Sequence, residues 1–287
     1  MTELKKTNAM DRVFTKEELG QALKMQVVER NDLITNARHN LSARELKIMD
    51  FLISKVKPDD EDFILIETSA NQIGKVLNNV KSGRAYEDIR KSLVKLRSET
   101  IYILDREKGA MTITGWISEA TFYTNGNIDV EISNKLKPYL LGLIAQGGYT
   151  QYELNDVVKL NNKHSIVLYK FMREADKGGN RLPTITGTIE EFKGWFNANP
   201  DMQFKVFNRD IIKVAVEEIN REIPTMNLVV KQIKRGRSVG SLEITNTIPK
   251  SATVFANIHN DISIEENKEI SEPVPMINWL KDLQTEK

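Results

Sequence analysis

Apolar positions fall at helical spacing in two blocks that repeat about 119 residues apart. The stretch LSARELKIMDFLISKV around Ser42 and the stretch NNKHSIVLYKFMREA from Asn161 superpose. Ile48 falls on Val167, Met49 on Leu168, Leu52 on Phe171, Ile53 on Met172 and Val56 on Ala175. At the same offset Ser69, Gln72, Ile73, Val76 and Leu77 fall on Thr188, Glu191, Phe192, Trp195 and Phe196. In each copy a hydroxyl residue precedes Gln or Glu by three, the capping box that opens a helix with an apolar face.

The rest of each copy follows the same plan. In the first, Leu41 and Leu46 flank the Ser42 cap as a hydrophobic staple, and Pro58 with the acidic run 59–62 ends the helix. A strand at 63–67, a helix at 70–77 and a turn at 78–83 come next. A third helix at 84–97 carries Tyr86, Ile89, Leu93 and Leu96 on one face. Strands at 100–104 and 111–117 surround the Gly109 turn, and 128–132 is a third. A helix at 134–145, weakly interrupted by Pro138, links the copies, with Gly147-Gly148 as the hinge. In the second copy the third helix spans 207–221, turns Ile211, Ala215, Val216 and Ile219 inward, and is stopped by Pro224. Strands at 226–233 and 239–245 then flank a tight basic turn.

Three helices and a β-ribbon make a winged helix. The expected fold is therefore α+β, a tandem pair of winged-helix domains related by internal duplication. Residues 1–24 form an N-terminal accessory segment, with a capping box at Thr15 and Glu18, and an extended run follows at 25–29. Residues 25–137 form the first domain, 138–250 the second, and 251–287 a polar, flexible tail ending in the amphipathic fragment MINWLKDL.

Composition narrows the function classes. Of 287 residues 40% are hydrophobic and 28% charged, the balance of a globular chain able to fill two cores. No cysteine is present, and His39, His164 and His259 share no ligand spacing, so no metal and no cofactor is expected. No apolar run has the length of a membrane span and no leader is evident, which makes the cytoplasm the expected location. The net charge of +1 conceals a division, because residues 251–287 hold three lysines against seven acids. The first 250 residues therefore hold 38 bases against 33 acids, a net of +5.

That basic excess points to double-stranded DNA. The third helix of a helix-turn-helix unit enters the major groove N-terminus first. In the second copy this places Lys205, Asn208, Arg209 and Lys213 at the bases, with Asn208 suited to adenine and Arg209 to guanine. Glu217, Glu218 and Glu222 lie where the helix leaves the groove. The wing adds Lys231, Lys234, Arg235 and Arg237, four cations whose mutual repulsion a polyanion relieves. The first copy offers Lys81, Arg84, Arg90 and Lys91, but its wing, Asp105-Arg106-Glu107-Lys108, is charge-balanced. The second domain is thus the expected principal reader, the first an auxiliary one. Trp116 and Trp195 sit among apolar neighbours and read as packing rather than base-stacking residues, while Trp279 lies in the tail.

The segments VVERNDLITNARHNLSARELKIMDFLISKV (27–56) and YTQYELNDVVKLNNKHSIVLYKFMREA (149–175) resemble the two signature stretches of iteron-binding plasmid replication initiators, those of theta-replicating Gram-positive, lactococcal-type plasmids above all. The resemblance covers residues 27–247. It implies a protein without catalytic activity that binds direct repeats at an origin, helps open an adjacent AT-rich region and recruits host replication proteins such as the initiator and helicase. It also implies a homodimer, joined through the first domain and in exchange with monomer, that represses its own promoter. A nicking initiator would need paired metal-binding histidines, and an ATPase a complete phosphate-cradling loop, which Gly74-Lys75 lacks. A tandem winged-helix repressor without an initiation role is the alternative.

Overall fold

The computed structural model describes residues 25–248, apart from 58–59, 61, 63–64, 78–82, 106–107 and 178–180. Expectations for the accessory segment, Lys81 and the acidic tail with Trp279 lie outside the described residues, and no side-chain placement is described for Arg84.

The helices and the wing of the duplication are present in both copies. The first copy runs β1 (Gln26–Arg30), α1 (Asn31–Thr35), β2 (Ala37–Arg38), α2 (Ala43–Ile53), β3 (Ile66–Ser69), α3 (Ala70–Val76), α4 (Gly83–Ser98), β4 (Ile101–Asp105) and β5 (Ala110–Thr114). It is extended by β6 (Ile117–Phe122) and β7 (Asn127–Ile132). A 3-10 turn at Asn134–Leu136 and two one-turn helices, α5 (Lys137–Leu140) and α6 (Leu143–Gln146), lead to the second copy. There follow β8 (Tyr149–Glu153), α7 (Leu154–Lys159), α8 (Lys163–Ala175), β9 (Thr184–Thr188) and α9 (Ile189–Trp195). A long α10 is built from Phe204–Phe207, Asn208–Lys213 and Val214–Glu222, and β10 (Leu228–Arg235) and β11 (Ser238–Asn246) close the unit.

The caps form as their residues dictate. Ser42 N–H donates to Glu45 Oε2 at 2.7 Å, and Leu41 and Leu46 are both buried. Thr188 Oγ1 accepts from Glu191 N–H at 3.2 Å while Glu191 Oε2 accepts from Thr188 N–H at 2.8 Å, a complete capping box. Ser69 Oγ accepts from Gln72 N–H at 3.2 Å, but the Gln72 side chain takes a bond from Thr68 Oγ1 instead. The apolar stripes of α2, α4, α8 and α10 then pack into one continuous core, in which Ile48, Leu52, Leu93, Leu168, Phe192 and Ile219 are fully enclosed. Trp116 is buried beside His39, and Trp195 lies between Phe171 and Phe192, so both pack as expected.

Several expectations are corrected. The strand at 111–117 is two strands broken at Gly115, where a Cβ would come within 2.9 Å of the Arg97 carbonyl oxygen. The linking helix at 134–145 is interrupted at Leu141-Gly142, not at Pro138. Pro138 sits in the first turn of α5, where its missing N–H costs nothing, whereas Gly142 takes a left-handed φ of 64°. The third helix of the second copy starts at Phe204, three residues early.

The sheets also diverge between copies. In the second, β9 joins the wing to give the order β10-β11-β9. In the first, β3 pairs with β7 in a separate sheet, β3-β7-β6, and the wing strands pair with β2 in the order β2-β4-β5. Finally β1 and β8, the opening strands of the two copies, pair antiparallel with each other in the register Gln26↔Glu153 to Arg30↔Tyr149. Gly148, half of the expected hinge, is tied into this seam through its carbonyl, which accepts from Asn31 N–H at 2.9 Å.

Candidate nucleic-acid interface

In the second copy α10 leads into the β10–β11 hairpin, the two elements that carry the expected DNA-contacting residues. The apolar face of α10, from Phe207 through Ile211, Ile212, Ala215 and Ile219, faces the core, so the opposite face must meet solvent. Lys205, Arg209 and Lys213 are exposed on it and Asn208 is half-buried. The residues Asn208–Lys213 form a π-helical turn. Such a turn inserts one extra residue into the i→i+4 ladder and rotates every following side chain, a distortion frequent at functional sites. Arg209 forks onto its neighbour Asp210, with Nε to Oδ1 at 2.5 Å and Nη2 to Oδ2 at 2.8 Å. The exposed guanidinium therefore has a carboxylate in the geometry that a guanine edge or a phosphate would require.

The wing rests on the register of β10 against β11, Leu228↔Asn246 to Arg235↔Ser238, with an irregularity at Ile233/Lys234. Gly236 supplies the left-handed turn residue at φ 66°. Lys231, Lys234, Arg235 and Arg237 are all exposed, and among the described residues Lys231 alone of the four shows an ion pair, to Glu243 at 3.4 Å. Of the acids on α10, Glu217 is exposed and Glu222 holds Arg221 at 2.7 Å. Glu218 departs from the expected picture of an acid leaving a groove, since it is buried and turned into the protein.

In the first copy Arg90 and Lys91 are engaged by a carboxylate, as Arg209 is in the second. Arg90 makes a bidentate contact with Glu87 at 2.9 and 2.8 Å, and Lys91 lies 3.7 Å from the same carboxylate. In its wing Lys108 pairs with Asp105 at 3.1 Å. Glu87 stands three residues before Arg90 and four before Lys91 on one helix face, so the helix itself brings the acid to both cations.

Between the copies lies a buried charged cluster without a sequence signature. Lys170 of α8 reaches Asp50 of α2 at 2.6 Å and Glu29 of β1 at 3.2 Å. Tyr152 of β8 donates to Glu29 at 2.6 Å and to Asp50 at 3.3 Å. Two carboxylates thus share one ammonium away from water. Burial pushes the Asp50 carboxyl up to about 6 despite Lys170, and Asp50 Oδ2 has no hydrogen-bond partner among the described residues. A cavity of about 30 Å³, room for a water molecule, is lined in part by Glu29, His39, Asp50 and Lys170. Burial, reinforced by the neighbouring Lys170, Lys163 and Arg38, drives the His39 imidazole down to about 3, so it is neutral at physiological pH. No group of three or more acidic or histidine side chains able to hold a metal ion occurs among the described residues. No described helix is long and apolar enough to cross a membrane.

Comparison with known proteins places this architecture. No curated protein matches the sequence. Among solved structures, the Pi initiator protein in complex with iteron DNA aligns with a TM-score of 0.66 at 15% identity, over 79% of this chain and 99% of that one. At that identity the likeness shows a shared fold. Domains 2 and 3 of RctB align at a TM-score of 0.42 with 12% identity, over 75% of this chain and 80% of that one, too weakly to carry an argument. Residues 26–173 match the first winged-helix domain (WH1) of the initiator replication proteins, and residues 188–246 match the second (WH2). With more than half of its length in the WH1 match alone, and the WH2 match following in order, this chain belongs to the initiator replication protein family.

Proposed function

We propose that this chain starts replication of a plasmid by binding repeated DNA sites, iterons, at its origin, with the second winged helix as principal reader. The observation that supports the reading is the exposure of Lys205, Arg209 and Lys213 on α10 and of the four wing cations, in a domain that matches the second winged helix of the family. In this reading Asn208 and Arg209 contact base edges, Lys205 and Lys213 flank them, and Lys231, Lys234, Arg235 and Arg237 hold phosphate. The first winged helix contacts an adjoining part of the site through Lys81, Arg84, Arg90 and Lys91. The domain limits proposed are 25–137 and 138–250, although the β1–β8 seam joins the two halves. The protein catalyses no reaction of its own. It acts in the cytoplasm by opening the origin and recruiting the host initiator and helicase.

The finding that favours a homodimer lies on the first wing. Tyr102 and Leu104 of β4, opposite Ile113 and Met111 of β5, are 43%, 40%, 58% and 53% exposed. They form an apolar face next to β5, which pairs on one side only. Such a face on an edge strand is a ready partner for its own copy. A dimer formed there would repress the initiator's promoter, while monomers occupy the iterons.

Footprinting on DNA flanking the chain's own gene tests the reading. Protection of several direct repeats in one helical phase is the expected result. Protection of an inverted promoter repeat alone would make the protein a repressor, and no protection at low salt would refute both.

A further inference from the structure

Helix α2 sits between the two reading helices and is bonded toward both. Successive helical residues are about 100° apart, so residues i and i+2 point to nearly opposite sides. Glu45 and Lys47 are such a pair. On one side, Glu45 accepts from Ser92 Oγ of α4 at 3.3 Å and from Lys95 Nζ at 3.1 Å. Arg44 adds a contact to Asp88 of the same helix at 3.1 Å. Burial works against ionisation of Glu45, but hydrogen bonds from Ser42 and the Lys95 ammonium keep its carboxyl below the ordinary range. On the other side, Lys47 is buried, and its Nζ donates to the Val158 carbonyl at 2.8 Å and to Asn161 Oδ1 at 3.3 Å. Val158 is in the last turn of α7, and Asn161 is in the turn between α7 and α8.

The same turn receives Glu218 from α10. Its Oε1 accepts from Asn161 N–H at 2.8 Å and its Oε2 from Asn162 N–H at 3.1 Å. Asn162 is also the N-cap of α8, accepting from His164 N–H at 2.8 Å. A carboxylate on the N–H groups at a helix start is favoured by the helix dipole as well as by the bonds. The chain of contacts is therefore continuous, from α4 through Glu45, α2, Lys47 and the Asn161-Asn162 turn to Glu218 and α10.

We infer that the Lys47–Asn161–Glu218 relay fixes the separation and angle between the two reading helices, and so sets which spacing between two half-sites the protein accepts. This rests on the reading above that α4 and α10 both meet DNA. Neither Lys47 nor Glu218 needs to touch DNA; both are positioning residues. Both charges are buried, Lys47 at 5% and Glu218 at 7% exposure, where a charge without a partner would be costly. Desolvation draws the Lys47 ammonium down, opposed by Glu218, so each charge makes the other's burial tolerable.

Two measurements test this on the full chain. The protein has no cysteine, so Val94→Cys on α4 and Glu217→Cys on α10, both exposed, give two unique sites for spin labels. The expected result is a single narrow distance distribution in the parent and a broadened one in Glu218→Gln and in Lys47→Met. An unchanged width in both variants overturns the relay, whatever DNA the protein binds. The second measurement is affinity for origin repeats with about five base pairs, half a helical turn, inserted between the halves. The parent should lose tenfold or more on insertion, and each variant less than threefold. Variants as spacing-sensitive as the parent would refute the control of spacing. A parent that binds no repeat DNA would instead refute the initiator reading, leaving the spin-label distances to decide the relay by themselves.

Discussion

Replacing Lys234, Arg235 and Arg237 together by alanine should remove a defined part of the salt dependence of DNA binding. Lys231 is left in place because Glu243 already shares its charge at 3.4 Å. The other three are exposed and show no ion pair among the described residues, so each is free to displace one condensed counterion. Three phosphate contacts at a slope of about 0.9 each make the logarithmic salt slope shallower by roughly 2.7. Over a fourfold rise in salt, from about 50 to about 200 mM, the parent should then lose roughly fortyfold more affinity than the variant. The substitutions leave β10 and β11 paired through their backbone, so the urea midpoint should not move. Fluorescence anisotropy on a labelled repeat across a salt series reads the slope directly. A slope difference below about one would mean that the wing does not lie on phosphate, and the proposed interface would have to move elsewhere.

Other expectations follow from individual contacts. Asp210→Ala should release Arg209, tightening binding to unrelated DNA several-fold and narrowing the ratio of specific to non-specific affinity in a competition assay. Lys170→Met strands Asp50 and Glu29 without their ammonium and should cost about 3–5 kcal/mol in urea unfolding. Gly115→Ala drives a Cβ to 2.9 Å from the Arg97 carbonyl oxygen, and the backbone shift should cost about 1–3 kcal/mol, seen as a lower melting temperature. Between about pH 4 and pH 6 two buried groups oppose each other. Asp50, raised on folding, favours the fold when protonated and loses that contribution as pH rises through about 6, whereas His39, depressed on folding, gains its contribution as pH rises. Asp50→Asn should therefore leave stability rising with pH and His39→Gln leave it falling, each by on the order of 1 kcal/mol per pH unit, as urea midpoints at stepped pH would record.

Much of this architecture was legible because its signals are local. Caps at Ser42, Ser69 and Thr188, and apolar residues at 3.6-residue spacing, mark helix starts and buried faces without reference to the rest of the chain. The 119-residue offset extended each assignment from one copy to the other. What escaped depends on partners far away in sequence. Nothing in Gln26–Arg30 announces pairing with Tyr149–Glu153, and nothing in Ile66–Ser69 announces β7 instead of the wing. Buried charges escaped for a related reason, since Glu29, Asp50, Lys170 and Glu218 have the composition of surface residues and only their surroundings say otherwise. Arg90 and Lys91 could have been seen against Glu87, because an i, i+3 and i, i+4 acid is a sequence-level feature. The π-helical turn at Asn208–Lys213 has no such feature and appears only in the backbone.

The seam between β1 and β8 has a consequence for synthesis. Gln26–Arg30 is made early, and its hydrogen-bonding partner Tyr149–Glu153 begins 119 residues after Arg30. At ribosomal speeds of roughly 5–20 residues per second, the first strand waits on the order of 6–24 s with an open edge. Val27, wholly enclosed in the finished protein, and Glu29, buried beside Lys170, are bare for that interval. The first winged helix therefore cannot complete itself until Tyr149–Glu153 has been made, and until then its opening strand is the segment for which a chaperone or a neighbouring nascent copy competes.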